Sequence, residues 1–202
     1  MNINRRSLMG LAIAGILSAM SMPALALTTA DARAHVETTM NELLALLDRD
    51  AAPAVRASEL KNILEARGNI PLLAKFSAGR AWREMSSGQQ DRFIDAFSHF
   101  VSVTYARRFG DFNDKPSVTI GRVIDAGRKG ILVESPISMD GRETLEVEWL
   151  VSDRAGSTQV IDLVVEGVSM AATQREELTS MLERRGGDVN ALISFLSSAK
   201  AE

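Results

Sequence analysis

The first part of the chain repeats its apolar residues at spacings of three and four, the period of an amphipathic helix. The first such set comprises Val36, Met40, Leu43, Leu44 and Leu47. It predicts a helix that is capped by Thr29 and runs through Asp48. A second helix is predicted from Pro53, a residue suited to the first helical position, to about Gly68.

The strongest helical pattern begins at Ser86 or Ser87 and ends near Gly110. Its apolar face is broad and comprises Phe93, Phe97, Phe100, Val101, Thr104 and Tyr105. Such a face covers either a protein core or a ligand. Before this helix, Ile70 to Phe76 is apolar but short, and Gly79 to Met85 suggests one or two helical turns.

From Ser117 onward the period of the pattern changes to two, which is typical of strands. Strands are predicted at about 117–124, 130–138, 143–152 and 158–166, with a turn at Asp140-Gly141 among those that join them. Turns this short favour an antiparallel meander. Within the third strand Val147, Trp149 and Val151 alternate with polar residues, which predicts one dry face and one wet face.

Two helices are predicted to close the chain, from Thr173 to about Arg185 and from Asp188 to about Ser198. Thr173 and Glu176 have the spacing of a capping box. Helices, then a sheet, then helices is the order of an α+β fold. The length suits one domain, which we expect to occupy residues 27–202.

The first 26 residues have the layout of an export signal. Arg5 and Arg6 precede an apolar run that ends near Met22, and Ala24-Leu25-Ala26 provides small residues for cleavage. The run is shorter than the ~20 residues that cross a bilayer. Both an ordinary signal and a twin-arginine signal fit, and either one predicts a destination outside the cytoplasm.

Composition excludes several classes of function. Removal of residues 1–26 would change the net charge from −3 to −5, and no cluster of basic residues suggests nucleic acid as a partner. Cysteine is absent, which removes thiol nucleophiles and thiolate metal ligands. The two histidines, His35 and His99, are far apart in the sequence, so we expect no metal site.

Ser169 lies in Gly167-Val168-Ser169-Met170-Ala171, one residue away from the G-x-S-x-G pattern of hydrolases. Both histidines precede Ser169, Ala171 replaces the second glycine, and the predicted sheet is not parallel. We therefore expect Ser169 to have a structural role at a turn rather than to act as a nucleophile.

Asp162 interrupts the apolar run of the fourth predicted strand. A buried carboxyl group there could serve as a general base. The alternative is a structural acid paired with a donor such as Arg175. The second interpretation is favoured, because ion pairs without catalytic function also bury acids.

Three stretches of the sequence together resemble one known family. They are "FSAGRAWREMSSGQQDRFIDAFSHFVSVTYARRFGDF", "VIDLVVEGVSMAATQREEL" and "GGDVNALISFL". Residue by residue, the matches are Trp82-Arg83, Arg92, Phe93, Phe97, Thr104-Tyr105-Ala106, and Asp162 before Glu166-Gly167-Val168-Ser169. The chain thereby resembles the MlaC or toluene-tolerance family of periplasmic phospholipid-binding proteins. Thr158 and Ile161 depart from the family pattern, where many members have aromatic residues.

The resemblance implies an NTF2-like α+β fold with a lipid cavity between helices and sheet, no catalysis and no cofactor. It also implies a shuttle in the periplasm between an outer-membrane lipoprotein complex and an inner-membrane ABC transporter with an MCE-domain subunit. Some relatives are associated with hopanoids, so a polycyclic lipid is a second ligand class.

On this interpretation the ligand-binding residues are apolar side chains of the long helix, its approach and the sheet. They are Trp82, Phe93, Phe97, Phe100, Val101, Tyr105, Val133, Val147, Trp149, Val165 and Val168. Two other functions stay open. One is a small-molecule enzyme on the same fold that uses Asp162, and the other is an adaptor or chaperone with a solid core.

Overall fold

The computed structural model describes residues 27–110, 116–139 and 143–201. The predicted export signal and the predicted turn at Asp140-Gly141 lie outside these ranges. The described α-helices are α1 Thr29–Leu47, α2 Pro53–Arg67, α3 Ile70–Ala78, α4 Ser87–Gly110, α5 Met170–Glu183 and α6 Val189–Ser197. The described strands are β1 Ser117–Val118, β2 Val123–Asp125, β3 Ile131–Glu134, β4 Ile137–Ser138, β5 Val147–Ser152, β6 Gln159–Val165 and β7 Val168–Ser169.

The helix starts follow local capping chemistry. α1 is capped by Thr28, one residue before the predicted cap, and Thr28 and Asp31 form a reciprocal capping box. α2 begins at Pro53 as predicted. The short apolar run after it forms α3, because the Asn69 side chain accepts a hydrogen bond from the backbone N–H of Leu72 at 2.9 Å.

α2 and α3 are separated by only two residues, Gly68 and Asn69. A Cβ atom at Gly68 would lie 2.9 Å from the carbonyl oxygen of Leu64, so a larger residue would push the chain away from the end of α2. Glycine therefore permits the abrupt change of direction between the two helices.

Among the described residues, the main sheet has five strands in the order β2-β3-β5-β6-β7, and every neighbouring pair is antiparallel. This arrangement confirms the predicted α+β class and the meander. The first two predicted strands are each divided, however, and their outer pieces β1 and β4 form a separate two-stranded ribbon. The division coincides with Pro136, which has no N–H to donate to a neighbouring strand.

β6 and β7 are joined by the two-residue turn Glu166-Gly167. Both residues have positive φ, 51° and 76°, which fits the tight hairpin turns whose twist matches that of the strands. Val165 and Val168 face each other across this turn. β7 then leads directly into α5.

The start of α5 differs from the prediction. The helix begins at Met170 with Ser169 as its cap, and the Ser169 hydroxyl oxygen accepts a hydrogen bond from the Ala172 N–H at 3.1 Å. The predicted capping box at Thr173 and Glu176 is therefore wrong. Thr173 lies inside the first turn, where its hydroxyl donates to the Ser169 carbonyl.

Three apolar clusters hold the described elements together. α1 packs on one face of the sheet, where Val36 meets Val133 and Val151 in a cluster of fully buried side chains. A second cluster joins α3, α4, α5 and α6, and a third joins α1, α2 and α4. The helices thus cover the sheet as a layer, and the space between this layer and β5 and β6 contains the site.

Candidate functional site

A cavity of about 180 Å³ lies between the helical layer and the sheet. The helices α1 to α4 contribute Thr39, Leu43, Leu60, Ile63, Leu64, Arg67, Ile70, Leu73, Ser77, Phe97, Val101 and Tyr105. The remaining lining residues are Gly68, Trp149, Val160, Asp162, Leu163, Met170, Ala171 and Gln174. Most of these side chains are apolar, so the cavity favours a hydrocarbon over a charged ligand.

One stripe of α4 faces β5 across this cavity. Phe97, Val101 and Tyr105 follow each other at spacings of four, which places them on one face of the helix. Trp149 lines the cavity from β5, and its indole N–H donates to the buried Ser135 hydroxyl at 2.6 Å. Because this hydrogen bond satisfies the polar edge of the ring, the rest of the indole provides an apolar wall.

Four predicted ligand-binding residues therefore line the cavity, namely Phe97, Val101, Tyr105 and Trp149. The other aromatic residues of the prediction pack around them. Phe93 is fully buried and stacks on Phe97, with 6.3 Å between ring centroids, and Trp82 meets Phe93 edge-on at 6.4 Å. Phe100 contacts Phe195 instead. These three side chains lie outside the lining and support it.

The predicted valines of the sheet also lie outside the lining. Val133, Val147 and Val165 pack in the cluster between α1 and the sheet. Val168 is 53% exposed beside the turn between β6 and β7. For these residues a direct contact with a ligand stays a prediction, and their position in this structure is behind or beside the cavity.

The prediction missed the contributions of α1, α2, α3, α5 and β6 to the lining. The stripe of Leu60, Ile63 and Leu64 is visible in the sequence, as is the apolar run that contains Ile70 and Leu73. Helical periodicity identifies a buried face but does not distinguish a cavity wall from a solid core. No signal in the sequence alone could have assigned these residues to the cavity.

Asp162 is held by three donors at the edge of the cavity. Its Oδ1 accepts from the backbone N–H groups of Leu163 at 2.8 Å and Ala171 at 3.0 Å, and its Oδ2 accepts from the Ser169 hydroxyl at 2.6 Å. The structural interpretation of Asp162 and Ser169 agrees with this geometry. The predicted partner Arg175 is wrong, because its guanidinium group lies over the Phe76 ring, 5.3 Å from the centroid.

Among the described residues that line the cavity, Arg67 is the one basic residue, and it is already paired. Its guanidinium group donates to both carboxylate oxygens of Glu42 on α1, with the Nε contact at 2.9 Å. This hydrogen-bonded contact with Arg67 lowers the pKa of Glu42 below its ordinary value, and the Glu42 contact raises the pKa of Arg67. Arg67 therefore contributes a paired charge to the lining, and its partner Glu42 lies outside the lining.

The junction between α2 and α3 is tied to two other elements. The Asn69 N–H donates to the carbonyl oxygen of Val160 at 2.9 Å, and Gly68 forms a parallel bridge with the same residue of β6. The carbonyl oxygen of Arg67 lies 3.0 Å from His35 Nε2 of α1. Because a carbonyl oxygen can only accept, Nε2 carries the hydrogen. The junction is therefore anchored to the sheet and to α1.

Tyr105 presents a phenol to the cavity. Burial raises its pKa above the ordinary value of about 10, and the nearby Arg108 partly offsets this shift. The hydroxyl group lies 3.9 Å from the sulfur of Met170. Tyr105 therefore stays neutral in the interior, and its ring adds to the apolar wall.

Within residues 27–110, 116–139 and 143–201, no group of three or more histidines or carboxylates is placed to hold a metal ion. In the same ranges no helix has both the length and the apolar composition needed to cross a membrane.

Comparison with known proteins gives one family and one informative structure. The family model described as "MlaC protein" matches residues 37–198. The phospholipid-binding protein from Ralstonia solanacearum, solved in complex with a phospholipid, has a similar fold with a TM-score of 0.67. It is 21% identical, and the match covers 83% of this chain and 96% of that one. No curated protein matches the chain.

Proposed function

Because the chain belongs to the MlaC family, we propose that it is a periplasmic lipid carrier whose cavity encloses the acyl chains of a phospholipid. The observation that carries the proposal is the apolar cavity between α1 to α5 and the sheet. The structure from Ralstonia solanacearum supports the ligand class, because that protein was solved with a phospholipid.

The physical need for a carrier follows from the cost of hydrating acyl chains. At ~0.8 kcal/mol per methylene, two chains of about sixteen carbons cost roughly 25 kcal/mol to expose to water. A protein that encloses the chains removes most of this barrier without breaking a bond. The hydrogen bonds of Asp162 and Ser169 fit such a role, because both groups are engaged in holding the start of α5.

The size of the cavity adds a condition. About 180 Å³ is less than the ~300–1,000 Å³ of ordinary ligand pockets. A diacyl lipid therefore requires the helices to move away from the sheet. A cavity between layers that meet through apolar side chains can widen in this way, since few directional contacts across it are lost.

In the cell, we propose that residues 1–26 direct export and that residues 27–202 form the carrier. Its partners would be an outer-membrane lipoprotein complex and an inner-membrane ABC transporter with an MCE-domain subunit. The ligand would be a phospholipid, with a polycyclic lipid as the alternative. The presence of an apolar cavity also favours a carrier over an adaptor with a solid core.

Two adjacent leucines of α3 provide a matched test. Leu73 lines the cavity, whereas Leu72 is 44% exposed on the same helix. Glutamate at position 73 would place a charge in an apolar space, which is unfavourable unless the charge is paired. The protein purified from the periplasm should contain lipid by mass spectrometry of organic extracts in the wild type and in Leu72→Glu, and much less in Leu73→Glu.

The wild-type extract decides the main question. Phospholipid at a stoichiometric ratio supports the proposal, and a polycyclic lipid would change the ligand class but keep the carrier. If the wild-type protein is free of lipid and binds none from added vesicles, the carrier proposal is wrong.

A further inference from the structure

Two buried polar side chains in the cavity wall each have an atom without a hydrogen-bond partner among the described residues. They are the hydroxyl of Ser77 on α3 and the Oε1 of Gln174 on α5. The residues are 1% and 8% exposed, and both line the cavity. Proteins leave few buried polar groups unpaired, because each one costs free energy, so this pair requires an explanation.

The other polar groups of the lining already have partners. The Thr39 hydroxyl donates to the His35 carbonyl oxygen at 2.8 Å, and Arg67 is paired with Glu42. Asp162 accepts three hydrogen bonds. The Tyr105 hydroxyl donates to the sulfur of Met170 at 3.9 Å. In the described part of the lining, the buried side-chain atoms without any hydrogen-bond partner are therefore those of Ser77 and Gln174.

The orientation of the Gln174 amide is fixed by its neighbour Glu177. Gln174 Nε2 lies 2.7 Å from the carboxylate oxygen Oε2 of Glu177. A carboxylate only accepts hydrogen bonds, so the amide nitrogen must face it. The atom left without a partner is therefore the carbonyl oxygen, which can accept a hydrogen bond but cannot donate one.

Ser77 and Gln174 lie where α3 and α5 are in contact. The Arg175 guanidinium group covers the Phe76 ring, and a Cβ atom at Gly79 would lie 3.2 Å from Arg175 Nε. Ser77 lies between Phe76 and Gly79, the residue that follows α3, and Gln174 precedes Arg175 on α5. Both residues therefore line the cavity close to the contact between α3 and α5.

We propose that Ser77 and Gln174 form a polar subsite that binds a hydroxyl group of the lipid. The proposal rests on the carrier function. Gln174 Oε1 needs a donor, and the Ser77 hydroxyl can donate in return, so a hydroxyl satisfies both groups at once. An ester carbonyl or an ether oxygen only accepts and would leave Gln174 unpaired.

The subsite makes the carrier selective for lipids with a hydroxyl in the enclosed part of the molecule. Two sources supply this chemistry. One is the free glycerol hydroxyl of a monoacyl phospholipid, and the other is a hydroxyl on an acyl chain. A fully esterified lipid without a chain hydroxyl binds through its apolar contacts alone.

Two pairs of probes separate these sources in a competition assay against a fluorescent fatty acid. The first pair is monopalmitoyl phosphatidylethanolamine and its glycerol methyl ether, and the second is β-hydroxypalmitate and palmitate. In at least one pair we expect the hydroxyl probe to bind the wild-type protein about tenfold more tightly. The pair that shows the preference identifies the source.

Three variants locate the effect. Ser77→Ala and Gln174→Met should each reduce the ratio of the two affinities to about one, because each removes one partner of the hydroxyl. Thr104→Val is the matched control, since the Thr104 hydroxyl is also buried and unpaired but lies outside the cavity lining. It should keep the wild-type ratio. Thermal melting establishes that each variant is folded, and either Ser77→Ala or Gln174→Met suffices for the test.

The possible failures are distinguishable. If the wild-type protein binds both members of each pair with equal affinity, the subsite is wrong and the carrier proposal stands. The same holds if the preference for the hydroxyl probe persists in folded Ser77→Ala and Gln174→Met. Binding of none of the four probes would overturn the subsite, and the carrier would be overturned with it if the wild-type protein also contains no lipid and binds none from added vesicles.

Discussion

Replacing Val101 by tryptophan tests whether the space beside α4 is a ligand site or a packing defect. Val101 lines the cavity, and Val147 on β5 is packed against α1 outside it. Val101→Trp therefore places an indole in an existing space, whereas Val147→Trp places one where no space exists. The second variant is a matched control, because the chemical change is identical and both positions are buried.

The magnitude follows from the volume of the cavity. At about 24 cal/mol per Å³, an enclosed apolar cavity of 180 Å³ would destabilise the fold by roughly 4 kcal/mol relative to a filled interior, which is the upper bound for this partly open cavity. The added part of the indole occupies roughly half of this volume, so Val101→Trp should recover roughly 2 kcal/mol. This gain offsets an overpacking cost of about 1–3 kcal/mol, which Val147→Trp incurs in full.

The assay combines thermal melting of delipidated protein with the lipid-to-protein ratio after reconstitution. The two variants should differ by roughly 2 kcal/mol, equivalent to about 4–8 °C in Tm, with Val147→Trp the less stable. Val101→Trp should lose its lipid, and the folded fraction of Val147→Trp should keep it. Equal losses of stability with wild-type lipid content in both variants would refute the reasoning, because Val101 would then be ordinary core.

Three further predictions concern the polar and aromatic groups around the cavity. Tyr105 is the chain's only tyrosine, so absorbance titration should give one phenol pKa, above about 10. This pKa should rise further when lipid is bound, because burial disfavours the phenolate. A pKa that does not change with lipid would show that the ligand does not reach the Tyr105 ring. Brominated acyl chains should quench the fluorescence of Trp149 more strongly than that of Trp82, because only Trp149 lines the cavity. The variant Trp82→Phe isolates the signal of Trp149, and Trp149→Phe isolates that of Trp82. Equal quenching would contradict the assigned lining. Ser169→Ala should lower the free energy of unfolding by about 0.5–2 kcal/mol through loss of the helix cap, while lipid binding is preserved. An unchanged melting temperature together with lost binding would show that the contact between Ser169 and Asp162 serves the ligand.

Features of the fold that depend on residues close together in the sequence could be predicted, whereas features that depend on contacts between distant residues could not. α2 and α4 were predicted closely, because proline at a helix start and a sustained apolar period are local signals. The start of α5 was not, because Ser169 becomes a cap only where the hairpin at Glu166-Gly167 returns the chain toward Asp162. Its capping role depends on tertiary structure, whereas the Thr173–Glu176 spacing was visible in the sequence alone.

The site shows a similar limit. The α4 stripe was predicted, and three of its members line the cavity. Phe93 belongs to the same apolar face, but its ring contacts Trp82 and is fully buried, so it does not line the cavity. Ser77 and Gln174 gave no signal, because a serine and a glutamine within helices are ordinary surface residues until the fold buries them.

The anchored junction at Gly68 and Asn69 also determines how the cavity can change its volume. Since the junction is held to β6 and to α1, any widening by α2 and α3 is a rotation about a fixed pivot. The 15 residues of α2 act as a lever of roughly 22 Å, so a tilt of about 10° would move its Pro53 end by roughly 4 Å. Displacement falls to zero at the pivot, and the cavity therefore opens as a wedge whose narrow edge is the junction.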